Sequence, residues 1–393
     1  MFSNRIPSDL TPNQLTTALR AVRESGRRVL DLTQSNPTRA SFVYPDDLLA
    51  PLAHPRGLVY RPHAAGLLEA REAVVADYAR RGVTTVPDRV VLTASTSEAY
   101  SLLFKVLADP GDEVLVPRPS YPLFEYLTRL DALRAVFYDI EYHGVWSIDI
   151  ASIEQAITPR TRIVLAVSPN NPTGSYLKRD ELAAIEQLCA VRGLVLVADE
   201  VFTDYRLTDG GADVGNPLAC RDALAFSLGG LSKSIGLPQA KLGWIGVAGP
   251  ESLVRDALGR LEFVADTYLS VSTPVQAAAA DLLRDGGSVR AAIQERVAAN
   301  FRRLRTSVKA ESGCQVLQAE GGWYGIVQVP SRSTEEELVL TLLSDHGILV
   351  HPGYFFDFPR ESYLVLSLLP PESEFAEGVD GILRHCACTE ARP

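Results

Sequence analysis

Between about residue 65 and residue 250 the chain repeats one unit, a short run of unbroken apolar residues followed by an amphipathic stretch. The runs fall at 90–93, 113–116, 163–166, 194–198, 223–227 and 244–247, and helical stretches run to 107, from 121 and over 179–191. A strand with no polar alternation is buried on both faces, and strands separated by helices pair in parallel. The pattern predicts an α/β fold, a large and mostly parallel sheet of the seven-stranded type between helices. In such sheets ligands gather beyond the C-terminal ends of the strands.

After residue 251 the pattern turns helical. Ser272-Thr273-Pro274 reads as an N-cap with proline in the first turn, and helices are expected over 276–284 and 289–310. The last eighty or so residues mix short strands (325–329, 348–350, 363–367) with two helices. They are expected to form a smaller α+β unit, with the first forty-odd residues packed against it. The expected division is an N-terminal segment 1–45, a large domain 46–290 and a small C-terminal domain 291–393. A length of 393 residues, 46% of them hydrophobic, is enough for two such cores.

The net charge of -10 and the lack of a basic run argue against nucleic acid or a membrane surface as partner. No apolar run approaches the roughly 20 residues of a membrane span. The first residues lack a secretory pattern, and the five cysteines are scattered. Reduced thiols in the cytoplasm are the expectation. His385-Cys386-Ala387-Cys388 has no second cluster to complete a metal site, so no metal is expected.

Five short stretches, each just past a strand, carry more polar chemistry than a core needs. Ser95-Thr96-Ser97 opens a helix, where hydroxyls, free backbone N–H groups and the helix dipole form a cup for phosphate; the same residues also suit a plain N-cap. Pro117-Arg118-Pro119-Ser120-Tyr121-Pro122 holds Tyr121 between prolines, as a ring that can stack or simply pack. Ser168-Pro169-Asn170-Asn171-Pro172-Thr173-Gly174 forces a fixed turn, with an asparagine able to donate to a ring oxygen. Asp199 ends an apolar strand, where a buried carboxylate needs a cationic or donor partner. Lys233, in Gly229-Gly230-Leu231-Ser232-Lys233-Ser234-Ile235-Gly236, sits in a confined turn where an amine loses its charge readily and attacks carbonyls.

These five handles match pyridoxal 5'-phosphate. The stretches PGDEVLVPRPSYP, SPNNPTG, ADEVF, LSKSIGLPQAKLGW and, upstream, YRPHAAGLLEARE occur in the order found in the class I/II aminotransferases, of PLP transferase fold type I. The chain resembles that family over nearly its whole length. The resemblance implies that Lys233 is the Schiff-base lysine and later the proton shuttle. It implies Asp199 at the pyridine nitrogen, Asn171 at the ring's 3-oxygen, Tyr121 as stacking ring, and Ser95, Thr96 and Ser97 at the phosphate. Lys241 stands where relatives carry a phosphate-binding arginine. Tyr60 matches a tyrosine that reaches the partner subunit's phosphate, implying a homodimer with shared active sites.

Three positions depart from the family. Phe202 replaces a tyrosine whose phenol bonds the ring oxygen, and Tyr205 is a neighbour able to compensate. Val365, in Tyr363-Leu364-Val365-Leu366-Ser367, replaces the arginine that clamps the substrate's α-carboxylate; Arg360 is one candidate substitute and a surface residue is its other reading. Gln34-Ser35-Asn36-Pro37-Thr38 replaces a glycine turn, where Ser35 and Asn36 either donate to the substrate or only shape the loop. The aromatic loop around Tyr354, with Trp323-Tyr324, either lines the substrate pocket or is core. The expected activity is transfer of an amino group between an amino acid with an uncharged side chain and a 2-oxo acid. The alternative, favoured by Val365, is a lyase, decarboxylase or replacement reaction on an unusual amino acid. A cofactor-sensing regulator fits poorly, since no DNA-binding unit or basic run is present.

Overall fold

The computed structural model describes residues 2–208, 213–309 and 312–388. After Leu30–Asp31 (β1) come the strands Val90–Thr93 (β2), Glu113–Arg118 (β3), Arg134–Tyr142 (β4), Trp146–Ile148 (β5), Thr161–Val167 (β6), Val195–Asp199 (β7), Ala225–Gly230 (β8) and Gly243–Ala248 (β9). Eight of them form one sheet in the order β2-β9-β8-β7-β6-β3-β4-β5. The run β4-β3-β6-β7-β8 is parallel, β9 lies antiparallel between β8 and β2, and β5 adds an antiparallel edge.

The expected two-faced burial is present. Ile163, Leu165, Val197 and Phe226 pack with the helices Thr96–Leu107 and Glu251–Tyr268 on one face. Val164, Ala166, Leu196 and Ala225 pack on the other face with the helices Leu68–Arg80 and Arg179–Arg192. Period-two alternation of strand side chains sends each neighbour to the opposite layer.

Two strands of the large sheet escape the sequence pattern. β4 mixes exposed and buried positions along Arg134–Tyr142, and β5 has three residues at the sheet edge. The helix expected from residue 121 begins at Phe124 and ends at Leu130, because Pro122 disfavours helical geometry at the residue before it.

The remaining strands, Gln315–Val316 (β10), Tyr324–Gln328 (β11), Ile348–Leu349 (β12), His351–Pro352 (β13) and Tyr363–Ser367 (β14), build two small sheets. One has the order β10-β11-β14-β13, and the other pairs β1 with β12. β1, from the N-terminal segment, thus pairs with a strand from the C-terminal part. The helix Thr273–Asp285 starts after Ser272, with Pro274 in its first turn. The helix Gly287–Ser307 follows; its expected end at Ala310 lies outside the described residues. Far along it, Asn300 Nδ2 donates to the carbonyls of Leu368 and Pro370 at 2.9 and 2.8 Å. No helix among the described residues is long and apolar enough to cross a membrane.

The turn after β6 is tied to the C-terminal part through Gly174. Its carbonyl accepts from Glu320 N (3.0 Å) and Gly321 N (2.9 Å), and its φ is +72°. An added Cβ would lie 2.5 Å from Gly321 O and 2.7 Å from the Ala319 methyl. Both the positive φ and the clash oppose a side chain. Gly174→Ala is expected to lower unfolding free energy by about 3 kcal/mol, read from denaturant titration; a change under about 0.5 kcal/mol would refute this reading of the turn.

Candidate active site

The strand ends of the large sheet deliver the site. β7 ends in Asp199, and β8 runs into a one-turn helix, Leu231–Ser234, that carries Lys233. Lys233, Asp199, Asn171, Tyr121, Thr96, Ser97, Ser35, Phe202 and Tyr324 line one cavity of about 130 Å³. Sequence positions from 35 to 324 therefore meet in one place.

Two adjacent asparagines divide the labour of the turn Ser168–Gly174. Asn170 ties loops together: its Nδ2 donates to Pro119 O (3.0 Å) and Thr173 Oγ1 (2.9 Å), and its Oδ1 accepts from Ser120 Oγ (3.0 Å). Asn171 faces the cavity instead. Its Oδ1 is buried with no partner among the described residues, so its amide keeps acceptor capacity that the chain leaves unused.

Asp199 is buried, and desolvation raises its pKa. The Tyr100 hydroxyl, donating at 2.7 Å, and the Val201 N–H at 3.0 Å work in the other direction. Glu200, next in sequence, points through the sheet to Ser227 Oγ, which also contacts Tyr78 Oη at 3.0 Å. Only one of the two acids therefore faces the cavity.

The Lys233 amine lies 5.0 Å from the Trp323 ring centroid and 5.7 Å from that of Phe202. Burial lowers its pKa from 10.5 to about 8, and Asp199 opposes the shift. A desolvated amine of this kind is neutral for a useful fraction of the time near neutral pH, as a carbonyl nucleophile must be.

The hydroxyl triplet splits. Ser95 Oγ accepts from Glu98 N at 3.1 Å and caps the helix, while Thr96 and Ser97 line the cavity. Gly243 packs against this turn so closely that a Cβ would come within 2.9 Å of Ser95 C and 3.1 Å of Thr96 N. Lys241, two residues earlier, is exposed in a left-handed conformation at φ +54° and does not line the cavity.

Other sequence candidates lie elsewhere. Arg360 lines a separate groove with Arg118, Asp139 and Trp146. Phe358 stacks on Tyr363 at 4.7 Å and meets Trp146 edge-on at 6.2 Å, which draws the loop toward that groove. Arg360 as a substitute for the missing arginine is thus corrected to a groove residue. The Asn36 side chain accepts from Thr38 N and caps a short turn. Tyr354 is exposed, packs edge-on against Phe355 and stays outside the cavity lining. Tyr60 is exposed beside Arg61 and Tyr268, also away from this chain's own cavity. Tyr205 does not stand in for a phenol at position 202, because its hydroxyl donates to the Lys233 carbonyl on the far side of the turn.

Val365 is fully buried in β14, paired with Ile326 and His351. Among the described residues lining the cavity, Lys233 is the one cation. Tyr100 was not singled out from sequence, and Tyr324 was named only as a pocket-or-core aromatic. Tyr100 follows Thr96 by one helical turn, a spacing that puts both on one face. Tyr324 is buried on β11, its hydroxyl facing Ser35 and Asn171; no local pattern announces that meeting.

A flat heterocycle bearing a phosphate fits this cavity. The amine, the carboxylate, the half-used amide and the glycine-cleared helix start each offer what such a group needs. The family pattern "Aminotransferase class I and II" matches residues 53–382. An alanine aminotransferase of Mycobacterium tuberculosis (strain H37Rv) is 30% identical over 90% of this chain and 85% of its own. A glutamate-pyruvate aminotransferase of Escherichia coli (strain K12) is 28% identical over 89% and 88%. The solved structure of an alanine aminotransferase from Pyrococcus furiosus superposes with a TM-score of 0.86 at 26% identity, covering 98% of this chain and 99% of that one. The chain belongs to the class I and II aminotransferases, enzymes of PLP fold type I that move amino groups with pyridoxal 5'-phosphate.

Proposed function

We propose that this enzyme exchanges the amino group of a small, uncharged amino acid such as alanine with a 2-oxo acid. The observation that carries the reading is the buried Lys233 amine sharing one small, aromatic-walled cavity with Asp199 and Asn171. The relatives named for alanine or glutamate and pyruvate support the choice of donor. They also favour transamination over elimination or decarboxylation.

The cofactor, when bound, supplies an aldehyde for amines and a ring that draws electron density from the reacting carbon. The chain's residues do the rest. Thr96, Ser97 and the helix start receive the phosphate, with Lys241 adding charge. Tyr121, in the cavity lining, would offer its ring as a stacking face for the cofactor. Asp199, held by Tyr100 and the Val201 N–H, keeps the ring nitrogen protonated. Asn171 donates to the ring oxygen, and Tyr324 supplies the phenol that Phe202 lacks. Lys233 Nζ would hold the cofactor's aldehyde carbon and, once free, would serve as the base that moves the proton of the donor's α-carbon. Ser35 and Asn171 receive the carboxylate as neutral donors in place of an arginine. Tyr60 serves the partner subunit's site in a homodimer, and the enzyme works in the cytoplasm.

L-alanine alone should convert the loaded protein fully to the amine form of the cofactor, seen as loss of its longest-wavelength absorbance, with pyruvate released. Ammonia release with the aldehyde form retained would overturn transamination. Tyr324→Phe should raise the pH midpoint of the lysine-bound cofactor's absorbance change by about one unit, the scale of one hydrogen bond. An unmoved midpoint would remove Tyr324 from the ring oxygen.

The depressed Lys233 pKa has a stability sign. The folded value lies below the unfolded one, so between about 8 and 10.5 the unfolded chain holds the extra proton and stability rises with pH. Below that window the full penalty stands. At pH 7, cofactor-free Lys233→Met is expected to be more stable than the cofactor-free parent by roughly 3 kcal/mol, with the gap closing as pH rises through the window. Equal denaturation midpoints at pH 7 would contradict the buried, destabilised amine.

A further inference from the structure

The turn that carries Lys233 is one helical turn long, too short to hold itself by its own hydrogen bonds. Its carbonyls are held from outside by three side chains distant in sequence. Tyr205 Oη donates to Lys233 O. Arg290 Nε donates to Ser234 O at 2.8 Å. Tyr44 Oη donates to Gly236 O at 2.8 Å.

Arg290 belongs in turn to a closed ring of four charges. Its Nη2 lies 3.2 Å from Asp77 and its Nε 3.4 Å from Asp204. Arg80 completes the ring, with Nε 3.0 Å from the same Asp77 oxygen and Nη2 2.7 Å from Asp204. The side chains of Asp77, Asp204 and Arg290 are only 5%, 7% and 12% exposed. Charges withdrawn so far from water add little net stability over apolar packing, and their best-attested use is to fix one arrangement. None of the four lines the Lys233 cavity. Arg290 also sits in the first turn of the helix Gly287–Ser307, whose Asn300 grips the chain just after β14.

We propose that Tyr205 and Arg290 are positioning residues, which fix the direction of the Lys233 side chain from beneath and tie it through Gly287–Ser307 to the β11–β14 sheet. The ion-pair ring holds Arg290 in place, and the two carbonyl bonds pass that placement to the lysine. The proposal rests on Lys233 carrying the cofactor. That premise has its own check: a Lys233→Ala protein that still develops the lysine-bound absorbance would refute the premise, whatever Tyr205 does.

The test uses the full chain, first cofactor-free and then loaded. Tyr205→Phe and Arg290→Gln are mixed with pyridoxal 5'-phosphate, and the rate of lysine-bond formation is followed by absorbance. Both are expected to form the bond about tenfold more slowly, the scale of one lost hydrogen bond. Loaded variants should show a kcat lowered about tenfold, with KM changed less than about twofold, since no group touching substrate is removed. Arg290→Lys keeps the charge but not the guanidinium fork. It should melt close to the parent and still form the bond slowly. If Arg290→Gln does not fold, the lysine and phenylalanine variants decide. Variants that melt lower yet bond the cofactor and turn over at the parental rate would overturn the proposal and leave the ring a purely structural feature.

Discussion

The register of β7 against β8 is the constraint on which the rest of the site depends. Asp199 pairs with Leu228, five residues before Lys233, and with Val167 on its other side. Strand side chains alternate, so this register points Asp199 toward Tyr100 and the cavity, and Glu200 toward Ser227 and Tyr78 on the opposite face. A one-residue slip would exchange the two acids. It would also turn Val197, Phe226 and their neighbours into the wrong layer. Burial of the apolar strand residues is therefore what fixes a single carboxylate opposite the amine. The chemistry is aligned by packing energy spent several residues away.

That dependence explains which parts were legible in the sequence. Fully buried strands announce themselves as unbroken apolar runs, and β2, β3, β6, β7, β8 and β9 all do so. β4 does not, because Arg134, Asp139 and Glu141 interrupt it next to the sheet edge, where its outer positions meet solvent. The site residues that are legible sit in short motifs beside strand ends: Thr96, Asn171, Asp199 and Lys233. Those whose place the sequence left open owe their position to tertiary meeting. Tyr324 reaches Ser35 and Asn171 from a different sheet. Tyr205 sits six residues after Asp199, and only the fold reveals that its hydroxyl lies under the lysine turn rather than in the cavity.

Position 365 shows how a local change propagates. Its strand, β14, lies between β11 and β13, so the side chain at 365 shares a face with Ile326 and His351. In this chain that face is apolar around a histidine whose Nδ1 has no partner among the described residues. Burial lowers the His351 pKa to about 4, with Asp31 opposing, so the ring is neutral at ordinary pH. Among the described residues lining the cavity, no cation other than Lys233 is present. In the proposed reading, a substrate carboxylate is received by neutral donors, whose hydrogen bonds are weaker than charge-assisted ones. Such a pocket discriminates more by shape and by its aromatic walls, Phe202, Tyr121 and Phe124, than by charge.

The same logic separates the two sides of the lysine turn. Above it, the cavity is poor in charge, and the amine is held in a form that reacts. Beneath it, four charges are concentrated in a closed ring that does no chemistry. A second carboxylate above would add to Asp199's pull on the amine and bring its pKa back up. Charge beneath acts on backbone carbonyls, through hydrogen bonds that are directional and leave the amine's own surroundings dry. A rigid support and a reactive amine place opposite demands on the local dielectric. The one-turn helix between them keeps the two environments apart while passing position from one to the other.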